Sequence, residues 1–416
     1  MSPTQELEPA AIEPLERERP RLLFCARRPP FPLVTGARIR SHRLLSGLAE
    51  SFETTFVTFE HEPGSPDGHV GRAELERLLP GIGIVTVPGR GRGKRVEQTR
   101  SLLWRRSWEY GRYRLAAMRE TLERLAELGP HVIHFDDLGV AQFGPLDGAL
   151  NVYSAHNVEY RILEGTVRNS RGPRRQFARL ERRKVEPLER RVWRTMSLCL
   201  ACSDLDAAEL RSGGARVVVC PNGADPVEPL PPASRGFDEP LRLLFVGAVD
   251  YRPNQLGLEW FIREVLPRLR EQVPVEVDVV GAPPRKLAGA DAVVMHGRVP
   301  SVQPYYERAH AVIVPVLFGS GTRLKVIEAM AYRRPVVATV AGAEGLPIRS
   351  DCDYFQADEP KAFADALERI ARQIERSDPQ LEQMLDEARK AIEPLLWPRI
   401  VSELRSTYLE SAAALA

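Results

Sequence analysis

The segment 318–331 holds the residues best suited to chemistry, because a glycine-rich turn runs directly into a helical pattern there. Gly319 and Gly321 allow a tight turn and a close approach of the backbone to a ligand. Unpaired backbone N–H groups at a helix N-terminus favour anions. The turn and the start of the helix therefore predict an anion-binding site.

Two positively charged residues follow this turn at positions where a helix disfavours positive charge. Arg323 and Lys325 fall in the first helical turn, where the helix dipole disfavours positive charge unless an anion is bound. Glu328 adds a carboxylate within the same helix. A bound diphosphate would explain both the cations and the glycines.

The elements that position this site follow an α/β pattern. From Arg21 onward, short apolar runs alternate with longer amphipathic stretches, which predicts βα units and parallel sheets. In the first half, strands are expected at 21–26, 54–59, 82–87, 132–135 and 151–155. The alternation restarts after 199–203, with strands expected at 217–220, 241–246, 275–280, 293–296, 311–316 and 335–338.

A chain of 416 residues exceeds the size of a single hydrophobic core, so two domains are expected. We predict a disordered tail at 1–18, a first doubly wound domain at 19–202 and a second at 203–395. The last helix, within 396–416, is expected to return to the first domain. Two such domains face each other across a cleft lined by strand-to-helix loops.

Composition excludes several classes of protein. The net charge of +2 argues against nucleic acid as a partner, and five cysteines are too few for a disulfide framework. Cys199 and Cys202 have metal-like spacing, but their apolar flanks indicate a buried strand. The chain shows neither a signal-peptide pattern nor an apolar run long enough to span a membrane, so a cytoplasmic location is expected.

A set of motifs in chain order resembles the glycosyltransferases of the GT-B fold, specifically the retaining family 4. The motifs are Pro32 to Gly36 with Arg38, Ser154-Ala155-His156-Asn157, Cys202-Ser203, Pro221 to Asp225, Phe245-Val246-Gly247, His296-Gly297, Gly319 to Ala331, and Pro335 to Thr339 before Gly342 and Gly345. Trp397 followed by Tyr408 is similar to the family's last helix. The resemblance covers about residues 20–412.

The resemblance implies an enzyme that moves a sugar from a nucleotide diphosphate sugar to an acceptor hydroxyl, on a glycan, polysaccharide or lipid-linked precursor. It assigns the ribose to Glu328 and places His156 near the sugar and the acceptor. No metal and no cofactor are expected beyond the nucleotide sugar, which is a co-substrate. The residues expected to bind the donor are Gly36, Gly247, Gly297, Arg298, Gly319, Ser320, Gly321, Thr322 and Glu328.

The chain departs from the family pattern at three positions. Ser320 stands where many members carry a glutamate that contacts the donor sugar. Ala248 and Pro253 stand where an arginine and a lysine commonly meet the diphosphate. We therefore expect Arg323 and Lys325 to neutralise the diphosphate and to act with His156 as the catalytic residues.

Other polar residues are weaker candidates. Arg252 is a third candidate cation, while Asn157 and Glu159 follow His156, and Arg38 and Arg40 lie just beyond Gly36. Two Asp-x-Asp pairs, 204 with 206 and 351 with 353, have the spacing of a metal site. Ser203 is expected to be a helix N-cap, which makes the first pair first-turn acids.

Two segments of the first domain allow a peripheral membrane contact. Residues 102–114 and 168–194 combine arginines with tryptophans, a composition that suits anionic headgroups. A solvated helix face carrying Glu181, Glu186 and Glu189 explains the second segment equally well.

Two other functions stay open at this point. A nucleotide-sugar-binding or scaffold protein that has lost transfer activity would explain Ser320, Ala248 and Pro253. A dehydrogenase with two Rossmann domains is disfavoured, because no Gly-x-Gly-x-x-Gly follows the first strand.

Overall fold

The structure is a computed structural model. It describes residues 19–33, 35–60, 70–89, 94–103, 106–168, 170–249, 251–281, 292–318 and 323–414. The expected disordered tail, 1–18, lies outside these residues.

Two parallel sheets form the framework. The first contains seven strands in the order β3-β2-β1-β4-β5-β6-β7, and the second contains six in the order β10-β9-β8-β11-β12-β13. The described strands of the first sheet are β1 (Arg21–Cys25), β2 (Glu53–Phe59), β3 (Gly83–Val87), β4 (Val132–Phe135), β5 (Leu150–Ser154), β6 (Leu198–Ala201) and β7 (Val217–Val219). Those of the second are β8 (Leu241–Val246), β9 (Val275–Val280), β10 (Val293–Gly297), β11 (Ala311–Val314), β12 (Val336–Ala338) and β13 (Phe355–Gln356).

Helices connect the strands in both halves. The described helices of the first half are α1 (Gly36–Ala49), α2 (Arg72–Leu78), α3 (Lys94–Leu103), α4 (Trp108–Gly111), α5 (Ala116–Ala126), α6 (Leu138–Ala141), α7 (Glu159–Arg168), α8 (Gly172–Thr195) and α9 (Asp204–Ser212). Those of the second half are α10 (Arg252–Trp260), α11 (Leu266–Arg270), α12 (Gln303–Arg308), α13 (Leu324–Ala331), α14 (Val340–Ala343), α15 (Pro360–Glu375), α16 (Pro379–Ala391) and α17 (Trp397–Ala413). A π-helical turn, Phe261–Val265, joins α10 to α11, and a 3-10 turn, Glu393–Leu395, precedes α17.

Each sheet carries a hydrophobic core on both faces, which is why its strands are apolar without strict alternation. In β1, Leu23 and Cys25 belong to one core, and Leu22 and Phe24 belong to the other. The second sheet is likewise covered on both sides. The expected fold class, two doubly wound α/β units, is confirmed.

One expected strand belongs to the other sheet. The segment 217–220 was expected to begin the second domain, but β7 pairs with β6 and completes the first sheet. The helix α9 forms the crossover between these two strands. The periodicity of a short apolar run does not reveal its partner strand. For this reason the sequence predicts a start of the second domain that is one βα unit earlier than the start of the second sheet.

The last helix packs on the first sheet's layer. Trp397, Ile400, Leu404 and Tyr408 join the core beneath β1 and α1. The chain connects the two halves twice, and the two connections lie side by side. Ala224 N–H donates to Leu395 O at 3.0 Å, and Trp397 N–H donates to Ala224 O at 3.0 Å. A Cβ on Gly223 would lie 2.6 Å from Leu395 O, so only glycine fits at this crossing.

Among the described residues, no helix is long and apolar enough to cross a membrane.

Candidate active site

Strand register brings the candidate residues of the first half to one edge. Cys25, at the end of β1, pairs with Phe135 of β4, which in turn pairs with Tyr153 of β5. The loops after these three strands therefore lie side by side, and they carry Arg27, Asp136 and His156. This is the edge at which ligands bind in parallel α/β sheets.

Residues of the second half face this edge. A Cβ on Gly36, the first residue of α1, would lie 2.9 Å from Leu324 Cδ1, the first residue of α13. The N-termini of two helices thus meet across the cleft, and both direct backbone N–H groups toward it. A Cβ on Gly345 would lie 3.0 Å from Ser203 Cβ, a second close approach between the halves.

Lys325 reaches from α13 to the loop after β8. Its Nζ donates to Asn254 Oδ1 at 2.9 Å and lies 4.3 Å from the centre of the Phe245 ring. A Cβ on Gly247 would lie 2.8 Å from the same Nζ, so the glycine leaves room for the ammonium group. Burial and the charge of Arg323 together lower the pKa of Lys325 to about 7, against the opposing effect of Glu328.

Arg323 is the N-cap residue of α13 and is buried. Its Nε donates to Ala341 O at 3.2 Å. Burial lowers the pKa of Arg323, while Tyr251, Glu344 and Asp206 raise it. Since Asp206 belongs to α9, Arg323 lies where the two halves meet.

Glu328 lies one turn further along α13. The Tyr306 hydroxyl donates to its Oε2 at 3.2 Å, and Tyr332 stacks on Tyr306 with ring centres 4.5 Å apart. Burial and the charge of Asp225 raise the pKa of Glu328 to about 7, although the Tyr306 hydrogen bond and Lys325 lower it. The carboxyl group therefore titrates near neutral pH.

Two glycines of the expected donor site have defined structural roles. Gly247 follows β8 in the left-handed region with φ 157°, and a Cβ on the neighbouring Gly281 would lie 1.8 Å from Gly247 O. Gly297, with φ 68°, ends β10 and accepts a hydrogen bond from Gly281 N–H at 2.8 Å. Arg298 is exposed immediately after Gly297. Gly319, Ser320, Gly321 and Thr322 lie outside the described residues.

His156 is anchored by an acid that the sequence analysis did not single out. Its Nε2 lies 3.1 Å from Asp136 Oδ1, and its side chain is mostly buried. In the sequence, Asp136 is marked only as a polar residue that directly follows a strand, β4. That position does not reveal its pairing with His156.

Charged residues beside His156 are paired with one another. Arg27 contacts Asp137 Oδ2 through Nε at 2.9 Å and Glu109 Oε1 through Nη1 at 3.2 Å. Burial raises the pKa of Glu159, while the nearby Arg27 lowers it. Burial also raises the pKa of Tyr251; among neighbouring charges, Arg323 lowers it and Glu159 raises it.

Several weaker candidates have other partners. Arg40 is buried and donates from Nη1 to Pro221 O at 2.9 Å and Asn222 Oδ1 at 3.1 Å, so it supports the crossing between the halves. Arg38 is half-buried and donates to Pro32 O, and Arg252 is exposed and donates to Gln255. Asn157 is half-buried next to His156 and stays a weaker candidate for the site.

The two Asp-x-Asp pairs have structural roles. Ser203 caps α9 by accepting from Asp206 N–H at 3.2 Å, as expected, and its hydroxyl donates to Asp206 Oδ2 at 2.8 Å. The Asp353 carboxylate accepts hydrogen bonds from the backbone N–H and from the guanidinium of Arg349. Within the part of the chain that the structure describes, no group of three or more metal-ligating side chains is found.

Family comparisons agree with this architecture. Residues 34–228 match the model described as Glycosyltransferase Family 4, and residues 240–373 match the model described as Glycosyl transferases group 1. Together the two matches span most of the chain. No curated protein sequence matches significantly.

Solved structures share the whole fold at low identity. Sucrose-phosphate synthase from Thermosynechococcus elongatus aligns with a TM-score of 0.67 at 17% identity, over 95% of this chain and 100% of that one. Anabaena HepE in complex with UDP and glucose gives 0.63 at 14%, over 94% and 100%. Trehalose 6-phosphate synthase from Burkholderia multivorans gives 0.62 at 15%, over 96% and 98%.

Two facing doubly wound units with this cleft define a GT-B enzyme. The chain belongs to the group 1 glycosyltransferases, as its motifs predicted, and it transfers sugar from a nucleotide-sugar donor.

Proposed function

We propose that this enzyme transfers a sugar from a UDP-sugar, with retention, to a hydroxyl of a glycan or lipid-linked acceptor in polysaccharide or glycolipid synthesis. The observation that carries the proposal is the grouping of Arg323, Lys325 and Glu328 at the start of α13, directly across from the N-terminus of α1. UDP is the first nucleotide to test, because the similar HepE structures are complexes with UDP and with UDP-glucose.

The cations and the helix N-terminus suit a diphosphate leaving group. Lys325 places its ammonium beside Gly247, at the loop where the family resemblance expects cations. A fixed cation aimed at developing charge in a dry cleft is worth about 3 kcal/mol of transition-state stabilisation. We assign this role to Lys325 and Arg323, and assign ribose binding to Glu328, whose carboxylate can accept bonds from both hydroxyls.

The remaining expected residues shape the two sides of the pocket. Gly36 starts α1 and brings its N–H groups to the diphosphate, and Gly247, Gly297 and Arg298 border the donor on the second half. His156 takes a hydroxyl of the sugar or of the acceptor. Donor binding by Gly319, Ser320, Gly321 and Thr322 is part of this proposal on the family resemblance alone.

Retention follows the family pattern. The anomeric bond ionises as the diphosphate leaves, and the acceptor hydroxyl enters on the same face. Arg323, Lys325 and backbone N–H groups supply the positive charge in this proposal, so the reaction requires neither a metal nor a further cofactor.

A ligand screen tests the donor assignment. UDP-, GDP- and ADP-sugars are compared by thermal shift, since a ligand at 100 times its Kd stabilises the fold by about 2.7 kcal/mol. UDP-glucose and related UDP-sugars should raise Tm, and the anomeric NMR signal of the product should show retention. Stabilisation by GDP- or ADP-sugars alone would contradict the UDP assignment, and an inverted product would contradict retention.

A protein that binds the donor without transferring sugar is less well supported. Ser320, Ala248 and Pro253 motivated it, but Lys325 supplies a cation at the same loop as Ala248 and Pro253. Donor binding with neither transfer nor slow donor hydrolysis would revive this alternative.

We further propose a cytoplasmic enzyme that makes a peripheral contact with anionic lipid. Glu181 and Glu189 of α8 are buried, which leaves an outer face whose exposed cations include Arg175, Arg179 and Arg183. The helix α3 packs on the opposite, buried face of α8, where the Ser101 hydroxyl donates to Glu181. Exposed arginines along one helix face suit an anionic headgroup layer.

The tryptophans contribute less than expected to this surface. Trp193 is fully buried against Tyr160, with ring centres 6.1 Å apart, so it cannot reach a membrane. Trp108 is half-buried, and Trp104 lies outside the described residues. The contact we propose is therefore mainly electrostatic.

Vesicle flotation tests this contact. The protein should float with phosphatidylcholine vesicles that contain phosphatidylglycerol, should not float with phosphatidylcholine alone, and should be released by salt. The triple variant Arg175→Ser, Arg179→Ser, Arg183→Ser should lose flotation. A control with the same change in charge, Arg263→Ser, Arg268→Ser, Arg270→Ser on the second half, should keep it. Equal flotation of both variants would contradict the assignment.

A further inference from the structure

Asp136 is a carboxylate that the described chemistry leaves unexplained. It is 2% exposed, and the Ser41 hydroxyl donates to its Oδ2 while His156 Nε2 lies 3.1 Å from its Oδ1. His134 Nε2 lies 3.5 Å from the same Oδ1. Burial opposes ionisation, yet His156 and His134 hold the pKa of Asp136 well below its ordinary range.

We propose that Asp136 is a positioning residue that fixes a proton on Nε2 of His156, so that in the neutral form of the ring Nδ1 faces the cleft as a hydrogen-bond acceptor. An acceptor nitrogen recognises a hydroxyl group and does not recognise a phosphate oxygen. The inference rests on the proposed function for what the hydroxyl belongs to, the donor sugar or the acceptor.

The contact between the two side chains sets the position of the proton. The opposite tautomer would place the lone pair of Nε2 against an ionised oxygen at 3.1 Å in a buried site. Two acceptors at that distance leave the carboxylate with an unmade hydrogen bond. Within the described residues, no hydrogen bond to His156 Nδ1 is found, so this nitrogen is available to a ligand.

Asp136 is itself held from three elements. Ser41 lies on α1, His134 lies on β4 and stacks on Phe24 with ring centres 4.2 Å apart, and Tyr408 of α17 lies behind His134. The distance from Tyr408 Oη to His134 Nδ1 is 2.6 Å. Burial lowers the pKa of His134, so the ring is neutral and carries one proton.

One arrangement of protons is consistent with all of these contacts. Tyr408 donates to His134 Nδ1, His134 directs its Nε2 proton toward Asp136, and His156 donates to the same carboxylate. A carboxylate fixed in this way cannot turn to follow the His156 ring. The ring therefore keeps one orientation before any ligand binds, which is the condition for accurate positioning.

The tautomer can be read without any substrate. Protein labelled with [15N]histidine is examined by long-range 1H–15N NMR at mildly alkaline pH, and His156→Gln assigns the signal. Native His156 should carry its proton on Nε2. A native ring protonated on Nδ1 overturns the proposal, whether or not the protein transfers sugar.

Variants separate the two neighbouring acids. Asp136→Asn should mix or reverse the His156 tautomers, because the amide can offer either its oxygen or its NH2 group. Asp137→Asn is the matched control: Asp137 caps α6 and pairs with Arg27, and asparagine also serves as an N-cap. It should leave the His156 signal unchanged, and an equal effect of both variants would overturn the assignment. If Asp136→Asn fails to fold, the native spectrum still decides.

Kinetics with UDP-glucose supply the second readout. Asp136→Asn should lower kcat by about 10- to 100-fold with little change in KM, as expected when a group is misplaced at the reacting centre. A loss confined to KM would overturn the positioning role. If the native enzyme shows the expected tautomer but handles no donor in the nucleotide-sugar screen, the proposed function fails and the position of the His156 proton stands.

Discussion

The two sides of the cleft treat their charges differently. On the first half, Asp136 is paired with His156, and Arg27 is paired with Glu109 and Asp137. On the second half, burial shifts the pKa values of Arg323, Lys325 and Glu328 toward the neutral form of each group. On the first side, the named charges are paired with neighbouring residues. On the second side, burial disfavours the charged form of each group, and a bound ligand could stabilise that form.

This difference indicates which side meets the charged part of the substrate. A diphosphate would stabilise the charged form of both cations, whereas a neutral hydroxyl suits a side that is already paired. Glu159 is an exception on the first side, because burial raises its pKa even though Arg27 lies near. Its influence on the pKa of Tyr251 places it near the second half.

Removal of the cations of the second side should have the largest effect on catalysis. Lys325→Ala and Arg323→Ala should each lower kcat on an active donor by at least tenfold, and by up to about 10²- to 10³-fold, because each removes charge that stabilises the leaving group. Steady-state assays of UDP release with UDP-glucose measure the loss. Lys361→Ala removes an exposed lysine paired with Asp365 on α15 and should leave kcat unchanged. Unchanged kinetics in both cation variants would remove the assignment.

Glu328→Gln should have a smaller effect that falls on binding. A neutral amide accepts weaker hydrogen bonds from the ribose than a carboxylate does, so Kd for UDP should rise by about tenfold. Calorimetric titration measures Kd, and circular dichroism checks the fold. An unchanged Kd would show that the ribose contacts other groups.

The uptake and release of protons on donor binding would test the difference between the two sides without a large change in affinity. The pKa of Lys325 is about 7, and an esterified diphosphate should raise it, so binding of UDP-glucose near pH 8 should take up protons. The pKa of Glu328 is also about 7, and bonds from the ribose should lower it, so binding near pH 6 should release protons. Calorimetry in buffers of different ionisation enthalpy measures both signs.

The same variant divides this linkage between its two sources. Glu328→Gln should keep the uptake near pH 8 and lose the release near pH 6. Binding with no exchange of protons at either pH would mean that the second side is already compensated. The distinction between the two sides would then fail.

The sequence predicted the fold and most of the motifs, but it did not predict partners across the chain. Apolar runs and ordered motifs located the two sheets, and charges in the first turn of α13 drew attention to Arg323 and Lys325. The register that aligns the ends of β1, β4 and β5 is a tertiary property, so the pairing of Asp136 with His156 had no local signal. The contact of Lys325 with Asn254 joins residues 71 positions apart.

The same limit explains the errors. From the sequence, Arg40 is a weaker candidate for phosphate or solvent because it lies just beyond Gly36, but its position on α1 directs its side chain into the core toward Asn222. Burial also reversed the interpretation of Glu181 and Glu189, which look like surface acids in an arginine-rich helix. Helical periodicity alone could not decide this, because the arginines surround the helix.

Glu189 offers the smallest and most specific test, because it lies behind the compensated side. It is 0% exposed and accepts hydrogen bonds from Glu159 N–H at 2.9 Å and Tyr160 N–H at 3.1 Å, at the start of α7. Burial and the charge of Glu159 together raise its pKa to about 8. Between about pH 5 and pH 8 the unfolded chain is ionised while the folded one keeps its proton, so the native protein loses stability as pH rises. Glu189→Gln has no proton to lose, so the Tm of this variant should rise relative to the native Tm by a few degrees across this range, because each pH unit corresponds to about 1.4 kcal/mol. Parallel Tm profiles would mean that the two N–H bonds hold this glutamate ionised.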